Sequence, residues 1–133
     1  MARVLAVEPY FGGSHRAFLE GLAARSRHEL RTLTLAPRFW KWRMRGAAIG
    51  LAGEAQASGF DPDVVLASDM LSLPDFLAIL GTRAPAILYM HESQLDYPAD
   101  RPDERDVHFG FTNVTSCLAA ARVVWNSEFH MEA

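Results

Sequence analysis

The feature of this chain that most constrains its fold is a regular alternation of short apolar segments with longer segments of helical periodicity. The apolar segments predict five strands, at residues 3–7, 29–35, 64–67, 86–90 and 122–125. Helical patterns lie between them, at residues 14–25, 40–58, 74–80 and 107–120. Because neighbouring parallel strands need a crossover connection, this alternation predicts βαβ units. We therefore predict an α/β fold, a Rossmann-like doubly wound parallel sheet of about five strands with helices on both faces.

Size and composition indicate one ordinary globular domain. The 133 residues are half hydrophobic and 22% charged, which excludes wholesale disorder. The net charge of −3 gives no overall attraction to nucleic acid or to an anionic membrane, so any such binding requires a local patch. The single cysteine, Cys117, excludes an internal disulfide and fits a reducing cytoplasm. No apolar run approaches the ~20 residues that span a bilayer, so we expect a cytoplasmic protein with no membrane partner.

A glycine-rich turn, EPYFGGSH at residues 8–15, follows the first predicted strand. Paired glycines between a strand and a helix direct several backbone N–H groups toward one point, which attracts anions and phosphate above all. The candidate phosphate-binding residues are Gly12, Gly13, Ser14 and His15. We expect a side chain at Gly12 to block close approach of a ligand and to disfavour a positive φ. A tight βα turn that binds nothing accounts for the glycines equally well.

A basic and aromatic segment, PRFWKWRMR at residues 37–45, follows the second predicted strand. Cations interleaved with aromatic rings suit phosphate contact combined with stacking on bases or sugars. The candidate binding residues are Arg38, Trp40, Lys41, Trp42, Arg43 and Arg45. The alternative is a helix start whose tryptophans pack on the sheet while the cations extend into solvent. Gly46, Gly50 and Gly53 follow at near-helical spacing and predict close packing of this helix on its neighbours.

Polar residues also follow the other three predicted strands, at residues 68–70, 91–98 and 126–128. The carboxyl ends of parallel strands share one edge of a sheet, so these clusters predict a ligand crevice there. His91 is the candidate catalytic residue, because a histidine can donate a hydrogen bond to a ligand or titrate near neutral pH. Glu92, Gln94 and Asn126 are candidate substrate contacts. A structural role, such as a hydrogen bond to a loop carbonyl, is the alternative explanation for His15 and for His91. No pair of histidines has metal-ligand spacing, so we predict no metal.

Taken together and in this order, the motifs resemble the N-terminal domain of the tRNA-queuosine α-mannosyltransferase family. The resemblance rests on residues 8–15, 37–45, 91–98, 104–106 and 126–132, and thus spans nearly the whole chain. It implies a retaining, family-4-like glycosyltransferase of the GT-B fold, in which two Rossmann-like domains face a cleft. The family's activity transfers mannose from GDP-mannose to queuosine in tRNA.

The resemblance also implies roles for particular residues. In similar enzymes the glycine turn, here Gly12 and Gly13, approaches the donor diphosphate, and a histidine that matches His91 hydrogen-bonds the transferred sugar. The nucleotide-sugar donor, GDP-mannose, is a co-substrate, and no tightly bound cofactor is expected. The partners implied are this donor and tRNA. From their charge, not from the resemblance, we infer that Arg38, Lys41, Arg43 and Arg45 contact tRNA phosphates or the acceptor.

Similar enzymes bind the donor mainly through a C-terminal domain, which we expect to be missing from these 133 residues. The chain would then be an acceptor-side domain, inactive alone. The charged, proline-containing segment 96–106 is expected to form a solvated loop, and residues 127–133 to begin a helix. The rival interpretations are a non-catalytic RNA- or phosphate-binding module, a transferase with another sugar and acceptor, and a stand-alone nucleotide binder.

Overall fold

The computed structural model describes residues 1–91 and 107–126, and there the chain forms a parallel sheet flanked by helices. The elements in chain order are β1 (Arg3–Glu8), α1 (Gly13–Arg25), β2 (Glu29–Thr34), α2 (Trp40–Ser58), β3 (Val64–Ser68), α3 (Leu73–Leu80), β4 (Ala86–Met90), α4 (Val107–Ala119) and β5 (Arg122–Trp125). The strand order is β2-β1-β3-β4-β5, and every pairing is parallel. The predicted α/β Rossmann-like fold is confirmed, and each predicted boundary lies within one residue of the observed one.

The two faces of the sheet differ in what they bury. On one face, Leu5 and Val7 of β1 join Val65 and Leu88 in the main hydrophobic core, which includes residues of α2 and α3. Successive strand residues point to opposite faces, so the side chains that alternate with these face α1 instead. Phe18 of α1 stacks on Tyr89 of β4 with ring centroids 4.0 Å apart, which fixes this helix over the second face.

The turn from β1 to α1 depends on two glycines for different reasons. Gly12 is extended, with φ −166°, but a Cβ built on it would lie 2.6 Å from Cβ of Pro37. Gly13 has φ +54°, and nothing lies within 4 Å of a Cβ built there. The expected positive φ therefore occurs at Gly13, and the expectation was wrong for Gly12. Position 12 requires glycine because the backbone there lies in close contact with Pro37, in the segment that follows β2.

Helix α2 buries a row of small and apolar side chains and exposes its glycines. The buried residues are Met44, Ala47, Ala48, Leu51, Ala52 and Ala55. Gly46, Gly50 and Gly53 are exposed, and no atom lies within 4 Å of a Cβ built on any of them. The prediction that these glycines permit close helix packing is wrong, because the buried alanines of the opposite side make that contact.

The helices of the described ranges include none with the length and apolarity needed to cross a membrane. The predicted loop at 96–106 and the predicted helix start at 127–133 lie outside the described residues.

Candidate active site at the carboxyl edge of the sheet

A buried polar cluster lies where β1, β3 and β4 end. Glu8 is the last residue of β1, Ser68 is the last of β3, and His91 directly follows β4. His15 reaches the same place from the first turn of α1. The exposed fractions of Glu8, His15 and His91 are 1%, 7% and 7%. The structure therefore brings the predicted glycine turn and the predicted catalytic histidine together at one edge.

The carboxylate of Glu8 forms the centre of this cluster. Its Oε1 lies 2.7 Å from Nδ1 of His15. Its Oε2 accepts hydrogen bonds from the Ser68 hydroxyl at 2.7 Å and from the Tyr10 backbone N–H at 3.1 Å. A buried carboxylate is costly unless it is paired and hydrogen-bonded, and Glu8 meets both conditions.

His91 is fixed by its backbone and by the rings around it. Its backbone N–H donates to Oδ1 of Asp69 at 3.0 Å. Its ring lies 3.9 Å from the His15 ring, centroid to centroid, at an interplanar angle of 34°. The rings of Phe18 and Tyr89 lie in T-shaped contact with the His91 ring, at centroid distances of 5.7 Å and 4.7 Å. The imidazole therefore has aromatic neighbours from both α1 and β4.

The Nε2 atom of His91 is buried and has no hydrogen-bond partner among the described residues. Burial, and then the charge on His15, lower the pKa of His91 to about 4. The ring is therefore neutral near pH 7, with one nitrogen that donates and one that accepts. A buried polar atom without a partner costs about 1–3 kcal/mol, so a hydroxyl delivered by a ligand would stabilise this site.

A small hollow opens beside this cluster on the α1 face of the sheet. Its walls include Glu8, Phe18, Ser68, Tyr89 and His91. Its volume of about 10 Å³ admits a water molecule or a single hydroxyl group rather than a whole ligand. The hollow therefore gives one polar group of a ligand a place beside His91.

Glu8, His15 and His91 also form a group, within the described ranges, whose potential metal-ligand atoms lie within 4.8 Å of one another. The histidines lie far apart in sequence, so their spacing gave no sign of this proximity. The Glu8 carboxylate already has three hydrogen-bond partners, one of them His15. The described contacts of the cluster are thus hydrogen bonds centred on the Glu8 carboxylate.

The predicted residues of the glycine turn divide between an open surface and a packed interior. Gly13 and Ser14 are exposed at the start of α1, and His15 is buried. Gly12 is half-buried against Pro37. An anion could therefore approach the first turn of α1 through Gly13 and Ser14, where backbone N–H groups lack intrahelical partners.

The basic and aromatic segment divides in a similar way. Trp40 packs on Phe109 with ring centroids 5.3 Å apart, in a small cluster with Met44 and Met70. Trp42, by contrast, is 77% exposed. The packing interpretation therefore describes Trp40, and the open-surface interpretation describes Trp42.

The cations of this segment are mostly on the surface. Arg38, Lys41 and Arg45 are exposed, whereas Arg43 is partly buried and its Nε has no partner among the described residues. Phe39, which precedes α2, is 68% exposed and holds a left-handed backbone with φ 55°. A bulky residue in this conformation is uncommon. Exposed rings and cations thus alternate around the start of α2.

Asn126 lies at the same edge of the sheet, directly after β5. Its side-chain Oδ1 accepts a hydrogen bond from the Tyr89 hydroxyl at 3.1 Å, and its side chain is exposed. This bond connects Asn126 to the aromatic wall of the hollow. The candidate contacts Glu92 and Gln94 lie outside the described residues.

Sequence reasoning named Glu8 and Asp69 within motifs but assigned no role to either. Asp69, 1% exposed, anchors the backbone of His91, and its own carbonyl accepts a hydrogen bond from Asn113 of α4 at 3.1 Å. A charged residue at the end of an apolar strand is a usable signal, because such residues are almost never fully buried unless they are paired. Glu8 fits that pattern.

Cys117 is partly buried and packs against the main core. Burial, and then the charge of Asp69, raise the pKa of its thiol. A raised pKa keeps the sulfur protonated and poorly nucleophilic, as expected of a structural thiol.

Comparison with known proteins confirms the family that the motifs resemble. The N-terminal domain family described as tRNA-queuosine alpha-mannosyltransferase N-terminal matches residues 3–133. The chain belongs to this family. Within the family's matched region lie all the residues of the buried cluster and of the basic segment.

A relative from Drosophila melanogaster, named tRNA-queuosine alpha-mannosyltransferase, is 34% identical over 130 residues. The match covers 96% of this chain and 34% of the fly protein. The chain therefore spans about a third of the length of that family member. No solved structure matches the chain.

Proposed function

We propose that this chain is the N-terminal, acceptor-side domain of a retaining glycosyltransferase of the GT-B fold. The full-length enzyme transfers mannose from GDP-mannose to queuosine in tRNA. Membership of the family and the name of the fly relative support the reaction. The observation that carries the assignment of a site is the buried, unpaired Nε2 of His91 beside the open turn of α1.

In this proposal His91 binds a hydroxyl of the transferred sugar. The ring is neutral near pH 7, so Nε2 meets an uncharged partner without the cost of burying a second charge. The hollow beside it has Phe18 and Tyr89 as walls and has room for a single hydroxyl, so the rest of the sugar would lie outside it.

The first turn of α1 serves the donor diphosphate in this proposal. Gly13 and Ser14 are exposed there, and a Cβ on Gly13 would meet nothing, so a phosphate can approach the backbone closely. Unpaired N–H groups and the helix dipole would stabilise the charge that develops on the leaving diphosphate. A second domain of the full-length protein would hold the rest of the donor, so this chain alone is inactive in the proposal.

The proposal is tested by His91→Ala in the full-length protein. Loss of one neutral hydrogen bond in the transition state is expected to lower the rate of mannose transfer about 10- to 100-fold. His28→Ala, a change at an exposed histidine, is the matched control and should transfer at the wild-type rate. Unchanged turnover in His91→Ala, with the fold intact by circular dichroism, would overturn the role of His91.

A second candidate, a non-catalytic RNA-binding module, is favoured by one observation. Phe39 and Trp42 are exposed beside the exposed cations Arg38 and Arg45. Stacking rings and cations are sufficient to bind single-stranded RNA without any catalysis. Binding of tRNA by a full-length protein that transfers no sugar from GDP-mannose or another sugar nucleotide would favour this candidate over the transferase.

A further inference from the structure

The buried pair of Glu8 and His15 has no task in the function proposed above. Glu8 is 1% exposed and His15 is 7% exposed. Two apolar residues could attach α1 to the sheet at lower cost, because burying an ion pair often costs more than the pair returns. The same site contains the Nε2 of His91, which has no partner among the described residues. The pair therefore points to a functional role in that site rather than to a role in stability.

The geometry connects the pair to His91 through His15. One face of the His15 ring lies against His91, with centroids 3.9 Å apart, and the Nδ1 of the same ring lies 2.7 Å from Glu8. Glu8 is itself immobilised by the Ser68 hydroxyl and the Tyr10 backbone N–H. The orientation of His15 is thus set from β1 and β3, and it limits the plane in which the His91 imidazole can lie.

We propose that Glu8 and His15 are positioning residues for His91, which fix the plane of its imidazole and keep that ring uncharged while Nε2 meets a sugar hydroxyl. This rests on the proposed function. Among the described residues, the titratable groups that face His91 are Glu8 from β1, His15 from α1, Asp69 from the segment after β3, and Tyr89 from β4. Asp69 holds the backbone N–H of His91. The lowered pKa of His91 agrees with a positive His15 beside it.

An uncharged His91 suits the chemistry better than an imidazolium would. A cation in this place would attract the donor diphosphate, whereas a neutral ring remains available to a hydroxyl. Glycosyl transfer also develops positive charge on the sugar, as glycoside hydrolysis does, and a cation beside that sugar would raise the barrier. Burial is the larger cause of the lowered pKa of His91, and the charge on His15 adds to it. The carboxylate of Glu8 balances that charge, so the pair contributes without adding net charge.

The test measures the titration of each histidine by NMR in full-length protein labelled with ¹⁵N-histidine. In the wild type, the His91 resonances should titrate near pH 4. His15→Gln removes the cation and leaves the Glu8 carboxylate uncompensated, so the midpoint should rise. Arg16→Gln, which breaks an exposed ion pair with Glu20 on the same helix, is the charge-matched control and should leave the midpoint unchanged.

The kinetic readout is the pH profile of mannose transfer. The acid limb of kcat/KM should move to higher pH in His15→Gln and should stay in place in Arg16→Gln. Glu8→Asp, which keeps the carboxylate, should keep most of the wild-type profile. A role that is merely structural would lower activity equally at every pH.

Several outcomes would overturn the proposal. They are a wild-type His91 midpoint at or above the ordinary value of about 6.5, an unchanged midpoint in folded His15→Gln, and loss of activity with EDTA that Zn²⁺ restores. The first needs no variant and so decides the matter even if His15→Gln prevents folding. If the midpoints shift as expected but no sugar is transferred, the proposed function fails and the positioning role of the pair stands.

Discussion

At the scale of single residues, His91 makes the stability of the domain depend on pH. Its pKa is about 4 in the folded chain against an ordinary value of 6.5, so the unfolded chain binds the proton more readily. Its contribution to stability is complete above pH 6.5 and is lost as the pH falls toward 4. The shift corresponds to about 3 kcal/mol.

We therefore expect the free energy of unfolding to fall by about that amount more in the wild type than in His91→Gln between pH 7 and pH 4. Urea unfolding at a series of pH values measures it, and the other titrating groups cancel in the comparison. Parallel curves for the two proteins would contradict the lowered pKa. His108→Gln, at an exposed histidine, should give the wild-type curve.

The two glycines of the first turn lead to a second prediction at this scale. Gly12→Ala places a methyl group 2.6 Å from Pro37 and should destabilise the domain by about 1–3 kcal/mol, as overpacking does. Gly13→Ala meets no atom but forces alanine into φ +54°, at a cost of about 1 kcal/mol. Thermal unfolding should thus rank Gly12→Ala as the less stable variant, and the reverse order would contradict the close contact with Pro37.

At the scale of elements, helix α2 has three glycines on its exposed side, at 46, 50 and 53. Glycine in a helix interior costs about 0.5–1 kcal/mol relative to alanine, and no neighbour here repays that cost. Gly46→Ala, Gly50→Ala and Gly53→Ala should each stabilise the domain by about that amount in urea unfolding. Ala57→Gly, near the end of the same helix, should do the opposite. Alanine variants that are less stable than the wild type would mean that α2 needs flexibility or contact there.

The elements themselves could be predicted from the sequence, but the contacts of the buried cluster could not. Apolar runs and helical periodicity are local signals, and they locate β1 and α1 within one residue. The cluster depends instead on register: Val7 pairs with Ala67, so Glu8 comes beside Ser68, and no local pattern carries that information. The proximity of His15 to His91 likewise follows from how α1 returns over the sheet. The sequence could not decide whether Trp40 and Trp42 pack inward or face solvent, for a similar reason. A tryptophan at the start of a helix can do either.

At the scale of the whole molecule, net charge and local charge lead to different expectations for tRNA. The chain carries a net charge of −3, so it has no general attraction for RNA. Arg38, Lys41 and Arg45 are nevertheless exposed beside Phe39 and Trp42, around the start of α2. Among the described residues, this patch combines exposed cations with exposed rings, so we expect tRNA to bind there. The topology places the patch at the carboxyl edge of the sheet, the same edge as His91.

The last prediction concerns how salt weakens that binding. Each phosphate neutralised by a cation adds about 0.7–0.9 to the slope of log K against log salt. Replacing Arg38 and Arg45 together by glutamine in the full-length protein should thus reduce the slope for tRNA by about one to two. The matched control replaces Arg27 and Arg83, exposed arginines in the loops at the opposite edge of the sheet, and should leave the slope unchanged. Trp42→Ala should lower affinity at every salt concentration without changing the slope, because stacking releases no counterions. Equal slopes for the two arginine pairs, measured by fluorescence anisotropy, would place the tRNA elsewhere on the protein.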